Sequence, residues 1–150
     1  MLLDLREHET GYHSYRMTEY ALNLARHVGL DDEQLSVIAK GALLHNIGKI
    51  GVPDHILLKP DRLNEEEWIE MRKHAEFGYE MIKKIEFLEE SANMVYAHHE
   101  RYDGGGYPRG LRGEQIPLGA RIFSVVDALD AMTSTRFTGR LFPSRKPSGE

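Results

Sequence analysis

The sequence has no cysteine, which excludes a thiol nucleophile and thiolate-held zinc and leaves any metal to nitrogen and oxygen donors. That lack also fits a reducing compartment. No apolar run approaches the roughly 20 residues needed to cross a bilayer. Acidic residues interrupt the opening Met-Leu-Leu-Asp-Leu-Arg-Glu where a signal peptide would stay apolar. A soluble, cytoplasmic chain without membrane contact is expected. Positive charge is in deficit, with 19 Lys and Arg against 24 Asp and Glu, a formal net charge of -5. That balance argues against a nucleic-acid surface and leaves room for a local basic site that holds a small phosphate ligand. No internal repeat is visible. At 150 residues and 41% hydrophobic, the chain is long enough for one domain with a real core and too short to expect two.

What is present is helical patterning almost throughout. Met17, Tyr20, Ala21, Leu24 and Val28 recur at helical spacing and Gly29 offers a stop. Asp31 and Asp32 can cap a second helix through Leu35, Ile38, Ala42 and Leu43, which carries His45 and Asn46 near its end before Gly48 and Gly51 break it. After a proline-bounded stretch over 53–60, Asn64 opens a helix through Trp68 and Met71, with His74 at or just past its end. Further helices are expected to about residue 85 and over about 90–100. Residues 103–110 are a glycine-rich surface loop. Pro117 starts a last helix in which Leu118, Ile122, Val125, Leu129 and Met132 are expected to face the core, with Asp127 off that stripe. Periodicity disappears after Arg136, and 137–150 reads as an irregular tail.

Across these helices runs a set of metal-ligand residue types: Glu9, His13, His45, His74, His98, His99 and Asp127, with Asn46 beside His45. Glu9 and His13 are four apart and share a helix face. Neighbours on a helix point about 100° apart, so His98-His99 and His45-Asn46 serve two ions better than one. Adjacent donors thus favour a polynuclear site of the kind that clamps a phosphodiester for in-line attack. Any one of these histidines alone reads as a surface or hydrogen-bonded core residue. However, Leu-Leu-His-Asn-Ile-Gly-Lys-Ile-Gly puts a polar pair into an apolar helix end, where an unpaired polar group costs a few kcal/mol. Lys49, one turn after His45, could neutralise phosphate oxygens at the same site, although a lone lysine after a glycine is otherwise an ordinary solvated residue.

Residues 43–51, the block His-His-Glu-Arg-Tyr-Asp-Gly-Gly-Gly-Tyr-Pro over 98–108, and 116–127 with Asp130 and Ala131 strongly resemble the HD-GYP domain of the HD hydrolase superfamily. The resemblance covers about 9–136. It implies an all-α, single helical HD-type domain with a glycine-rich GYP loop, and a bacterial phosphodiesterase that opens cyclic di-GMP to pGpG and on to GMP. By the same resemblance two or three divalent ions, Fe or Mn, would be held by Glu9, His13, His45, position 46, His74, His98, His99 and Asp127, a donor set that does not itself exclude Zn or Ni. Lys49, Tyr107 and Arg136 would contact substrate, and the glycine loop would meet diguanylate cyclase domains in some relatives. Glu100 and Asp130 read as structural hydrogen-bonding residues.

The chain departs from the family at Asn46, where an aspartate bridges two metals. Two divalent ions about 3.5 Å apart repel by roughly 20 kcal/mol at an effective dielectric near 20. A bridging carboxylate relieves that repulsion, whereas an amide offers one neutral oxygen. Metal binding is therefore expected to survive and hydrolysis to suffer. Gly139 also stands where the family carries a phosphate-binding lysine, with Arg140 as the nearest substitute, and a closing helix after Arg136 is expected to be missing, as in a truncated domain. An inactive module that binds cyclic di-GMP or a partner is the alternative reading. A phosphohydrolase for another nucleotide would leave the GYP block unexplained.

Overall fold

The structure, a computed structural model, describes residues 11–133; Glu9, Arg136, Gly139, Arg140 and the expected tail over 137–150 lie outside the described residues. All regular structure within them is helical: α1 (Gly11–His27), α2 (Asp32–Leu44), a 3₁₀ turn (Ile47–Gly51), α3 (Asp54–Leu57), α4 (Glu65–Arg72), α5 (His74–Ile82), a 3₁₀ turn (Glu86–Leu88), α6 (Glu89–Ala97), a 3₁₀ turn (Gly113–Gln115) and α7 (Leu118–Thr133). No helix among the described residues is long and apolar enough to cross a membrane.

Helix α1 buries Met17, Ala21 and Ala25, a stripe at spacing four whose small residues let α2 and α7 approach closely. Asp31 caps α2 in a reciprocal pair, accepting from Gln34 N at 2.9 Å while Asp31 N donates to the Gln34 side chain at 3.2 Å. Asn64 and Glu67 repeat the device at the start of α4. The main core joins α1, α2, α6 and α7 through Met17, Ile38, Met94, Ile116, Phe123 and Val126, and a smaller cluster of Ile82, Leu88, Ala92 and Val95 joins α5 to α6.

Two expected features differ. α6 ends at Ala97 rather than near residue 100, so His98 and His99 sit in the turn after it. On α7 only Ile122 of the expected stripe is buried, while Val125 is 58% and Met132 68% exposed, and Leu118 and Leu129 also face outward. The helix is rotated to bury Ala120, Phe123, Val126 and Asp130 instead. Phe123 packs its ring 4.6 Å from that of His45, and Asp130 receives Arg16 Nε at 2.8 Å. One aromatic contact and one part-buried ion pair thus accompany the rotation, a choice that counting apolar positions cannot make.

The 3₁₀ turn Ile47–Gly51 packs on α5 almost backbone to backbone. A methyl group on Gly48 would overlap the carbonyl of His74 and crowd the amide of Gly78. Gly48→Ala is expected to destabilise the fold by about 2–3 kcal/mol in urea unfolding. It should also weaken metal uptake, because His45, Asn46 and Lys49 flank or ride this turn and His74 heads the helix it touches. Unchanged stability would show that the close approach is not required.

Candidate metal centre

Three histidines leave the ends of three helices in one manner. His45 Nδ1 lies 2.7 Å from Ala42 O, His74 Nδ1 2.7 Å from Met71 O, and His98 Nδ1 2.6 Å from Val95 O. Those carbonyls belong to the last turns of α2, α4 and α6, where backbone acceptors lack a helical partner. A carbonyl only accepts, so each Nδ1 carries the proton and each Nε2 presents a lone pair. The C-terminal ends of these helices also concentrate negative potential, which favours a cation between them.

The lone pairs converge. Ligand nitrogens of His74, His98 and His99 all lie within 4.8 Å of one another. His98 Nε2 is buried with no hydrogen-bond partner, which leaves a desolvated lone pair unmatched. His99 Nε2 lies 3.1 Å from His74 Nε2. In the protein without metal, His99 can donate a proton across that gap; with a cation present, both nitrogens can turn to it. The rings continue outward, with His45 5.5 Å from His98 and His13 6.3 Å from His45 between centroids. Buried nitrogen donors with one orphaned atom fit a divalent transition metal.

Burial also keeps these ligands neutral. Desolvation, with Lys49 opposing further positive charge, lowers His74 to about 4. Desolvation together with His74, His45 and Lys49 lowers His99 to about 3. His45 and His98 are held well below the ordinary imidazole range, burial being the largest cause. Lys49 opposes positive charge on all four rings, so it lies within electrostatic reach of the cluster.

Asp127 is exposed over part of its surface, yet enough protein surrounds its carboxyl for desolvation to raise its pKa, while His13 and Lys49 oppose that rise. It therefore lies within electrostatic reach of His13, Lys49 and Tyr107. The Asp130 carboxylate lies 3.6 Å from His13 Nδ1 and is held by Arg16, an arrangement that orients the imidazole. Asn46, 9% exposed, begins the 3₁₀ turn without using its side chain to cap it.

The glycine-rich loop closes one side. Tyr107 stacks on His99 at 4.9 Å between centroids and 18° between planes, and the Arg72 guanidinium lies 5.2 Å from the Tyr107 ring centre. Desolvation raises the Tyr107 phenol to about 12, so it keeps its proton at neutral pH.

The structure thus brings His74, His98 and His99 to ligand distance of one another, with His45, His13 and Tyr107 in ring contact around them and Lys49 and Asp127 within electrostatic reach. It corrects the expectation that His98 and His99 diverge from a helix. With α6 ended, their rings are 4.1 Å apart and both join the group with His74. Arg72, and Arg16 as the partner of the expected hydrogen-bonding residue Asp130, leave no signal in the sequence. Arg72 precedes His74 by two positions, with no periodic signal; Arg16 and Asp130 are 114 residues apart and meet only through α1–α7 packing.

A family profile described as HD domain matches residues 1–145. The cyclic di-GMP phosphodiesterase response regulator RpfG of Xanthomonas campestris is 43% identical over 136 residues, covering 89% of this chain and 36% of that protein. A cyclic di-GMP phosphodiesterase of Thermotoga maritima is 40% identical over 138 residues, 91% of this chain and 38% of its own length. The 3'3'-cGAMP-specific phosphodiesterase 2 of Vibrio cholerae is 37% identical over 136 residues, 89% of this chain and 26% of that protein. The chain therefore spans between about a quarter and two fifths of the length of these relatives. Among solved structures, Bd1817, an HDG"Y"P protein from Bdellovibrio bacteriovorus, superposes with a TM-score of 0.68 at 25% identity over 82% of this chain and 41% of that one.

Proposed function

The chain belongs to the HD domain family, in its HD-GYP group, and from that premise we propose that it is the metal-dependent phosphodiesterase domain of a signalling protein, acting on cyclic di-GMP. The observation that carries this reading is the three-histidine cluster with its buried, orphaned His98 Nε2, stacked on one side by Tyr107 and within electrostatic reach of Lys49. His13, His45, His74, His98, His99 and Asp127 would hold two or three ions, Fe or Mn, with position 46 between them and Glu9 as a further ligand. Bound ions of this kind polarise phosphoryl oxygens and lower the pKa of water.

The chain's own residues supply the rest. Lys49 neutralises phosphate charge in a site where burial strengthens electrostatics. Tyr107 offers a flat ring and a phenolic proton to substrate, and Arg136 is assigned to phosphate. Helix-end carbonyls fix the imidazoles before substrate arrives, so little reorganisation remains for the reaction itself. Arg101, Tyr102 and Asp103 on the outer glycine loop are exposed, and this is the face assigned to diguanylate cyclase partners. A cytoplasmic location follows from that substrate.

Asn46 favours a second reading, a module that binds cyclic di-GMP without turning it over. Anaerobically purified protein loaded with Mn or Fe is to be incubated with cyclic di-GMP, with products followed by chromatography and binding by calorimetry. Formation of pGpG or GMP supports the enzyme; binding without product supports the module; neither overturns both. His98→Ala is expected to reduce metal retained to less than about a tenth, and undiminished metal would remove the cluster as the centre.

A further inference from the structure

Glu100 follows the two histidines directly and is 2% exposed. Among the described residues its partners are backbone amides: Oε2 accepts from Arg109 N at 2.8 Å and Oε1 from Leu111 N at 2.9 Å. Burying a carboxylate is costly unless charge-assisted hydrogen bonds offset it. Here both bonds are directed at the glycine loop, two and four residues beyond Tyr107. On the other side of Tyr107 the loop meets the same turn. Tyr107 N donates to His99 O at 3.2 Å, and a side chain on Gly106 would overlap the backbone of His99, Glu100 and Arg101. Arg109, besides its amide, rests its guanidinium 4.1 Å from the Tyr96 ring centre on α6. The loop is therefore fastened before and after Tyr107 to the turn that presents His98 and His99.

Resting on the reading of the site just given, we propose that Glu100 is a positioning residue: its buried carboxylate clasps the loop amides at 109 and 111 and so holds the Tyr107 ring in its stack on His99. Metal ligand and substrate-facing tyrosine are thereby kept as one body. Glu100 touches neither metal nor substrate and acts through Tyr107.

Glu100→Gln keeps the size, removes the charge and turns an amide NH₂ toward one of the two backbone donors. In this variant the ring-proton resonances of His99, which carry the Tyr107 ring current, are expected to move in the direction produced by Tyr107→Ala. The Kd for cyclic di-GMP, by calorimetry on metal-loaded protein, should rise about tenfold, with metal content unchanged. Combining Glu100→Gln with Tyr107→Ala should weaken binding no further than Tyr107→Ala alone. His99 resonances that stay in place, or additive effects on Kd, would overturn the proposal. Should Glu100→Gln not fold, Glu100→Asp, which keeps the charge and shortens the reach, is read by the same resonances. If the unaltered protein does not bind the dinucleotide, the functional reading fails on its own, while the His99 resonances still decide the role of Glu100.

Discussion

Replacing Asn46 with aspartate is expected to raise cyclic di-GMP hydrolysis by at least about a hundredfold under matched Mn or Fe loading. Of the expected ligands within the described residues, His13, His45, His74, His98 and His99 are imidazoles, Asn46 is neutral, and only Asp127 brings a negative charge. Two divalent ions carry four positive charges between them, and Lys49 adds another nearby. A carboxylate at 46 would add a second negative charge and a second oxygen donor to the set that would hold the ions. The substitution changes one atom of nearly equal size. The Asn46 side chain makes no capping bond to the turn it opens, but it is buried, so a carboxylate there should lower the urea midpoint of the metal-free protein, a loss that bound metal offsets. The gain should appear in kcat with a rise in retained metal. Equal rates in the two forms at equal metal content would show that position 46 is not where activity is limited, and inactivity of both would end the enzyme reading.

Legibility in the sequence followed the range of each interaction. Caps at Asp31 and Asn64 were readable because a capping box spans four residues, and the helices they start lie where expected. The cluster is readable as a set of residue types, with His45 and His74 beside helix ends that apolar periodicity exposes. What was lost depended on contacts between distant segments. Rotation of α7 is accompanied by Phe123 against His45 and by Asp130 against Arg16, neither of which leaves a local mark. The end of α6 leaves no mark in the sequence because nothing in His-His-Glu breaks a helix by composition; it ends where His98 Nδ1 takes the carbonyl of Val95 and Glu100 turns to the loop. Those same contacts bring His98 and His99 into one group. Glu100 was correctly read as a hydrogen-bonding residue, while its partners at 109 and 111 required the folded loop.

The chelator-treated protein is expected to lose on the order of 4 kcal/mol of stability between pH 7 and pH 5 through His74 and His99 alone, about 2 kcal/mol each. Their imidazoles titrate near 6.5 in the unfolded chain, whereas burial lowers them to about 4 and about 3 in the fold. Across the intervening range the unfolded state binds more protons, so stability falls as pH drops through 6.5 and keeps falling until the folded pKa values are reached. His45 and His98 are shifted in the same direction, and a domain of ordinary stability, about 5–15 kcal/mol, has little reserve against four such groups. Asp127 works the other way near the carboxylate range, because its raised pKa lets the folded state take up its proton first. Asp103, held to about 2 chiefly by its hydrogen bond from Arg101, adds a loss only below the ordinary carboxylate pKa, so its contribution lies in a separate window. Urea unfolding at several pH values from 7 to 5 measures the slope, and His74→Gln should remove about 2 kcal/mol of the loss if that ring is buried and neutral. A flat profile over this range would mean that the imidazoles are hydrated and already free to charge, in which case the enclosed nitrogen cluster, and the metal centre built on it, would not exist in solution.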